Sequence, residues 1–456
     1  LSLDPFGVIE ARSFSTRPAM RILLFPCLVR KFLSTYTEAW AAENMRILLA
    51  RREEIRVLEP DRLDDSVLAS LVEELFLIID GQCAVRFRAH LFPMMLGGKF
   101  LRLRMRLAGL PSDATDMDLL GGLEYKSSEI ERDLYALAEA ADAYPSVQEL
   151  LKTKAPDIVL ESLDSVDGGK FFSGMLSDFL SRNGARTTKS FQPFSSLSWR
   201  ERPEDLIASL GAIIRSGAAG NRKALIEKSG EKAKRIETAV GRSVFGGKGF
   251  LRSLARYREC FVARELGLYE IEESYVLLRG LIAIAGIRLA SKGLLPDSAD
   301  IRFGRGREVV EALRGERADE FEAAVARRKA GRPRAVAAWN ERGPAESPRG
   351  GLVGVPSSAG VYEGPARLIL GPADFSKMES GDVLVCPYTD PTWTPLFSLS
   401  GAVVAETGGP LSHAAIVARE YSIPAVMGVS GALSTLSDGQ RVRVDGSRGR
   451  IYPQDA

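Results

Sequence analysis

Apolar residues recur at every third or fourth position through most of the chain, the signature of helices with one buried face. Ile130, Leu134, Leu137, Ala138 and Ala141 share one such face, and Leu206, Ile207, Leu210, Ile213 and Ile214 share another. A third gathers Leu277, Leu278, Leu281, Ile282, Ala285 and Leu289. Turn-forming breaks such as Gly109-Leu-Pro-Ser-Asp113 and Ser165-Val-Asp-Gly-Gly169 separate these stretches. No fixed-period repeat of the kind that builds a solenoid is present. Residues 1–341 are therefore expected to form a mainly α-helical domain. After residue 350 the pattern changes to short β-type runs at 366–370, 382–385, 402–405 and 441–445, bounded by Gly, Pro and Asp. One helix is expected to start at His413 and to stop before Pro424, since a residue preceding proline avoids the α region. Between the two textures, Arg327-Arg-Lys-Ala-Gly-Arg-Pro-Arg334 opens a stretch rich in Pro, Gly and charge. That composition predicts a linker over 342–351 and a separate domain over 352–456.

Composition narrows the class. A chain of 456 residues exceeds one ordinary core. Its 45% hydrophobic and 26% charged residues are those of a soluble globular protein. Lys plus Arg number 61 against 59 for Asp plus Glu, and this near-neutrality argues against a nucleic-acid partner. Cys27, Cys83, Cys260 and Cys386 are scattered, without zinc-ligand spacing, so no metal site is expected. Reduced thiols of this kind fit a cytoplasmic protein. The apolar stretch within 20–31 is short, broken by Pro26, and followed by no small-residue cleavage site. It reads as a buried or amphipathic helix, and no membrane partner is expected.

His413 is one of only two histidines, and it lies in Thr407-Gly-Gly-Pro-Leu-Ser-His-Ala-Ala-Ile-Val-Ala-Arg-Glu420. Gly408 and Gly409 permit a tight turn, Ser412 is a good N-cap, and 414–420 are good helix formers. The imidazole thus sits at a positive helix N-terminus, which favours a phosphate. A neutral imidazole is a nitrogen nucleophile, so a phosphohistidine is one reading; a residue that merely helps to cap the helix is the other.

The segment 401–428, with Gly439-Gln-Arg-Val-Arg-Val-Asp-Gly446 and Gly381-Asp-Val-Leu-Val-Cys-Pro-Tyr-Thr-Asp-Pro-Thr-Trp-Thr-Pro-Leu-Phe397, resembles the phosphohistidine domain of phosphoenolpyruvate-utilising enzymes. The resemblance covers 350–456 and implies a compact β/β/α domain that swivels on its linker, with His413 phosphorylated and Thr407, Gly408, Gly409 and Ser412 forming its loop. Leu411 stands where the dikinases of the family carry threonine. A helical domain preceding a C-terminal histidine domain is similar to rifamycin-phosphotransferase-like members rather than to phosphoenolpyruvate synthase, whose pyruvate-binding barrel follows the histidine. Phe179-Leu-Ser-Arg-Asn-Gly-Ala-Arg186 with Trp199-Arg-Glu-Arg-Pro203, and 293–303 with 307–313, extend this likeness more weakly. It implies an acceptor domain with Arg182 and Arg186 as substrate-binding residues, although Asn183, Ala185, Lys189 and Ser190 replace the histidine and acidic residue usual nearby.

The resemblance implies a dikinase-like transferase: ATP, with Mg2+, phosphorylates the histidine, which hands the group to a small-molecule acceptor. No Gly-x-x-x-x-Gly-Lys-Ser/Thr loop or glycine-rich ATP-grasp segment occurs in the sequence. The chain also starts at Leu1 rather than Met. An ATP-grasp-like domain upstream, or a separate subunit acting in trans, is therefore the expected partner. A binding or regulatory protein that keeps the histidine domain without catalysis is the third alternative. Of the remaining candidates, Arg102, Arg104 and Arg106 read as a solvated basic face. His90, Met94 and Met95 read as structural residues. Arg419, about 240° round the helix from His413, reads as a packing or pairing residue.

Overall fold

The computed structural model describes residues 35–111, 114–187, 196–216, 219–242, 247–340, 351–389, 393–410 and 412–454. The segment 20–31, linker positions 342–350, Lys189, Ser190 and Leu411 lie outside the described residues. The helices in chain order are α1 (Glu38–Arg56), α2 (Asp65–Val85), α3 (Phe92–Leu107), α4 (Lys126–Ala140), α5 (Pro145–Thr153) and α6 (Pro156–Ser162). There follow α7 (Gly169–Asn183), α8 (Pro203–Ser216), α9 (Ala219–Gly241), α10 (Gly247–Ser291), α11 (Gly306–Leu313) and α12 (Ala318–Asn340). Short polar side chains start several of them: Thr37 Oγ1 accepts from Trp40 N (3.2 Å) and Asp64 Oδ1 from Val67 N (2.9 Å). The chain divides into two compact units, Leu1–Leu96 with Glu259–Arg342, and Gly97–Arg258 with Gly343–Ala456.

In the first unit the core is built by Leu68, Leu75 and Ile79 of α2, by α10, and by Val309, Val310 and Leu313 of α11. Leu278, Leu281, Ala285 and Leu289 are buried there, with Leu277 and Ile282 packed against them, as the helical spacing required. The same stretch of α10 is long and apolar enough to cross a membrane by length and composition. Part of that helix is buried in the core of the first unit, and Arg288 near its end donates to Asp65 at 2.8 Å. His90 is buried in the π-helical turn Arg86–Leu91. Residues 327–334, ahead of the expected linker, belong to α12, which runs through Pro333 to Asn340. Ala and Arg on both sides are strong helix formers and carry the helix past one missing N–H donor.

The second unit joins the helices of 97–258 to the strand-containing C-terminal domain. Ile130, Leu134, Leu137 and Ala138 of α4 are buried, as are Leu206, Ile207, Leu210 and Ile213 of α8. The strands are β1 (Leu352–Val353), β2 (Val355–Ser358), β3 (Val361–Leu368), β4 (Asp382–Cys386), β5 (Ser400–Ala405), β6 (Ala425–Met427), β7 (Arg441–Asp445) and β8 (Arg450–Pro453). They form one sheet in the order β1-β8-β7-β3-β4-β5-β6-β2. The inner strands β3, β4, β5 and β6 are parallel, and the outer pairings are antiparallel. Both ends of this order are consecutive pieces of one segment, so the sheet curls back on itself. Gly354 is the joint: a Cβ there would lie 2.6 Å from Met427 O, and only glycine allows the approach. Three short helices complete the domain, α13 (Thr394–Phe397), α14 (His413–Glu420) and α15 (Ala432–Thr435). The parallel pair β5 and β6 is joined through α14, whose residues Ala414–Ala418 are all buried.

Candidate functional site

Parallel strands present their carboxyl ends, and the loops that follow, as the usual place for a ligand or reacting group. At this edge β5 ends in Ala405, and the chain crosses toward the end of β4. Glu406 N donates to Cys386 O (3.0 Å), and Thr407 bonds Pro387 O through both its N–H (3.0 Å) and its hydroxyl (2.9 Å). Gly408 then takes a φ of 107°, and a Cβ at that position would press on Ser412 at about 3.0 Å. The turn closes with Ser412 N donating to Gly409 O (2.9 Å). Ser412 is the N-cap of α14, its Oγ accepting from Ala415 N at 3.4 Å. His413 is the first helical residue, half-buried, at the positive end of the helix dipole. Thr407, Gly408, Gly409, Ser412 and His413 are thus brought into one turn.

A residue that the sequence did not single out completes this turn. Thr394 Oγ1 lies 3.3 Å from His413 Nε2, with donor and acceptor set by the imidazole tautomer. The Phe397 ring meets the imidazole edge to face at 6.3 Å. Both belong to α13, which is anchored by the fully buried Trp393 against Phe375 (5.0 Å) and Tyr388 (5.9 Å). The signal was the Trp-Thr-Pro string, in which proline at the start of a short helix follows a large apolar anchor. Its distance from His413 along the chain hid the contact.

Arg419 reaches back along α14, its Nη1 donating to Pro410 O at 2.7 Å. Burial pushes its guanidinium below the usual arginine range, while Asp118, Asp116 and Tyr257 pull it upward. Tyr257 itself is raised well above the ordinary phenol value by burial, then by Asp116, to which its hydroxyl donates at 2.7 Å. Arg102 also pairs with Asp116, so one member of the basic face on α3 is engaged. The C-terminal end of α14 is tied to α4 by hydroxyl–carboxylate bonds. Tyr125 Oη donates to Glu420 Oε1 (2.6 Å), and the buried Tyr421 hydroxyl donates to the buried Glu131. Tyr135 Oη adds a bond to Ser398 Oγ at 3.0 Å.

Arg182 and Arg186 belong to a different cluster, on and behind α7. Arg182 is exposed and pairs with Asp178 (3.0 Å) and Asp133 (3.3 Å). Arg186 is fully buried, and its Nη2 donates to Ser127 Oγ at 3.1 Å. Among the described residues no group of three or more His, Cys, Asp or Glu is placed to hold a metal ion.

Residues 378–449 match the mobile domain of phosphoenolpyruvate-utilising enzymes, and residues 89–265 match the rifampicin phosphotransferase fourth domain. A rifampicin phosphotransferase of Streptomyces sviceus is 31% identical over 349 residues, 71% of this chain and 39% of that protein. The uncharacterized phosphotransferase YvkC of Bacillus subtilis is 29% identical over 386 residues, 79% of this chain and 46% of that protein. The phosphoenolpyruvate synthase of Aeropyrum pernix is 50% identical over 100 residues, 22% of this chain and 12% of that protein. The chain thus spans less than half the length of each of these relatives. It carries a match to the mobile domain of phosphoenolpyruvate-utilising enzymes behind a match to the rifampicin phosphotransferase fourth domain.

Proposed function

We propose that this chain transfers a phosphoryl group through His413 to a small-molecule acceptor held by the helices of 97–258. The observation that carries the reading is the imidazole at the N-terminus of α14, with Nε2 3.3 Å from a hydroxyl beyond the carboxyl ends of parallel strands. In the first step the unprotonated ring nitrogen attacks phosphorus. The N–P bond forms, the P–O bond to the donor breaks, and the leaving oxygen keeps the electron pair. In the second step an acceptor oxygen attacks the same phosphorus, the P–N bond breaks, and the acceptor proton passes to a base. Positioning and charge stabilisation supply the rate in both steps. The first-turn amides and dipole of α14 favour the anionic group on the imidazole, and Thr394 orients the ring.

The donor in this reading is ATP, used with Mg2+ by an ATP-grasp-like domain or subunit that partners this chain. The mobile domain then swivels between that partner and the helical domain. The names of the full-length relatives and the two family matches support phosphoryl transfer. The Ser412 cap and the Gly408 turn support His413 as the residue that is modified. Incubating the chain, together with its ATP-binding domain or a candidate ATP-binding subunit, with β- and γ-labelled ATP tests this. Base-stable, acid-labile label on His413 is the expected result. Label that requires a separately encoded ATP-binding protein assigns the carrier form of the reaction. Label that persists in His413→Ala overturns the assignment.

A further inference from the structure

Away from the His413 ring, the second unit contains a cleft of about 440 Å³ lined by both its helices and its C-terminal domain. Thr115, Asp118, Lys228 and Lys232 form one wall. Ser357, Ser358, Arg419, Ser422 and Ser447 form the other. Three cations therefore face one carboxylate, and that carboxylate is already engaged. Asp118 Oδ1 accepts from Lys232 Nζ (2.8 Å), and its Oδ2 accepts from Thr115 N (2.7 Å). Lys228 has no ion pair among the described residues, and Arg419 bonds a backbone carbonyl instead of a carboxylate.

Lys228 is solvent-exposed and Arg419 lies within the fields of Asp118 and Asp116, so the excess of cations over carboxylates in the lining gives the cleft a positive character that favours an anionic ligand. The lining also limits what that anion is. Its apolar members are Pro356 and Ala359, and no aromatic ring is present to stack on a nucleobase or to cover a greasy scaffold. Hydroxyl groups dominate instead. The volume lies in the usual range for a small-molecule site, roughly 300–1,000 Å³, and exceeds what one bare phosphate fills.

We propose that this cleft binds a phosphorylated, polyhydroxylated small molecule of the sugar-phosphate class. Lys228 and Arg419 grip the phosphate from opposite walls, and the serines take the hydroxyls. Because both walls contribute, the bound molecule bridges α9 and α14. This binding does not depend on phosphorylation of His413, so failure of either proposal leaves the other standing.

Isothermal titration of the full chain with ribose 5-phosphate, ribose and inorganic phosphate tests the proposal. Ribose 5-phosphate is expected to bind, inorganic phosphate at least tenfold more weakly, and ribose not measurably. Lys228→Glu and Arg419→Gln are each expected to weaken ribose 5-phosphate by tenfold or more. Lys228 is solvent-exposed, so its variant keeps the fold, as a thermal unfolding curve verifies. Absence of binding at millimolar ribose 5-phosphate overturns the proposal, as does an unchanged affinity in Lys228→Glu. Equal affinity for inorganic phosphate overturns the sugar-phosphate assignment.

Discussion

Thr394 shows what one side chain, 19 residues away, adds at the His413 ring. Its hydroxyl contacts Nε2 and so biases which ring nitrogen carries the proton. Thr394→Val is expected to slow phosphorylation of His413 about tenfold, equivalent to roughly 1.4 kcal/mol, with Thr394→Ser recovering most of the rate. A single-turnover labelling time course reads this, and an unchanged rate would remove Thr394 from the account. Ser412→Ala removes the cap of α14 and is expected to cost ~1 kcal/mol, seen as a lower urea midpoint. Tyr421→Phe leaves the buried Glu131 carboxylate without that hydroxyl, at about 1–3 kcal/mol. The turn before His413, with Gly408 and the Ser412 cap, was legible because its backbone signals are local. Thr394 was not, because the β4–β5 connection rather than chain proximity brings it to the ring. Arg182 and Arg186, marked by the resemblance as substrate-binding residues, are respectively ion-paired at the surface and bonded inside the fold, in a cluster on α7.

At the scale of elements, legibility followed length and alternation. The runs 382–385, 402–405 and 441–445 correspond to β4, β5 and β7, and 366–370 overlaps β3. The strands β1, β2, β6 and β8 are two to four residues long, too short for a periodic signal. Their pairing depends on partners distant in sequence, as in the β2–β6 ladder from Val355 to Met427. Gly354→Ala tests the curl of the sheet. Its Cβ would crowd Met427 O, so a loss of about 1–3 kcal/mol is expected in denaturant unfolding. In the first unit, Arg328 grips Glu308 through two bonds of 2.6 Å, which with the Arg305 N–H holds that carboxyl down at about 2. A folded value below the unfolded one of 4.5 contributes stability that is complete above 4.5. It is lost as pH falls through the window down to about 2. Because the pair is partly solvated, Glu308→Gln should cost about 1 kcal/mol at neutral pH and shrink the stability change across that acid window.

The whole molecule joins a strand-built domain carrying one histidine to helices whose matched region, 89–265, contains the 97–258 part of the second unit. That grouping was not legible in the periodicity, which shows which helical faces are buried but not which helices share a core. The Tyr–Glu bonds between α4 and the end of α14 hold the histidine domain in this arrangement. The helix anchored by these bonds at its C-terminal end, α14, is the one that carries His413 at its first turn. The account rests above all on phosphate residing on that side chain. The most direct test is phosphopeptide mass spectrometry, under neutral-to-basic conditions, of the chain charged by its ATP-binding partner. Phosphate mapped to His413, and none recovered anywhere in His413→Ala, is the predicted result. Stoichiometric phosphate on a residue other than His413 would contradict it.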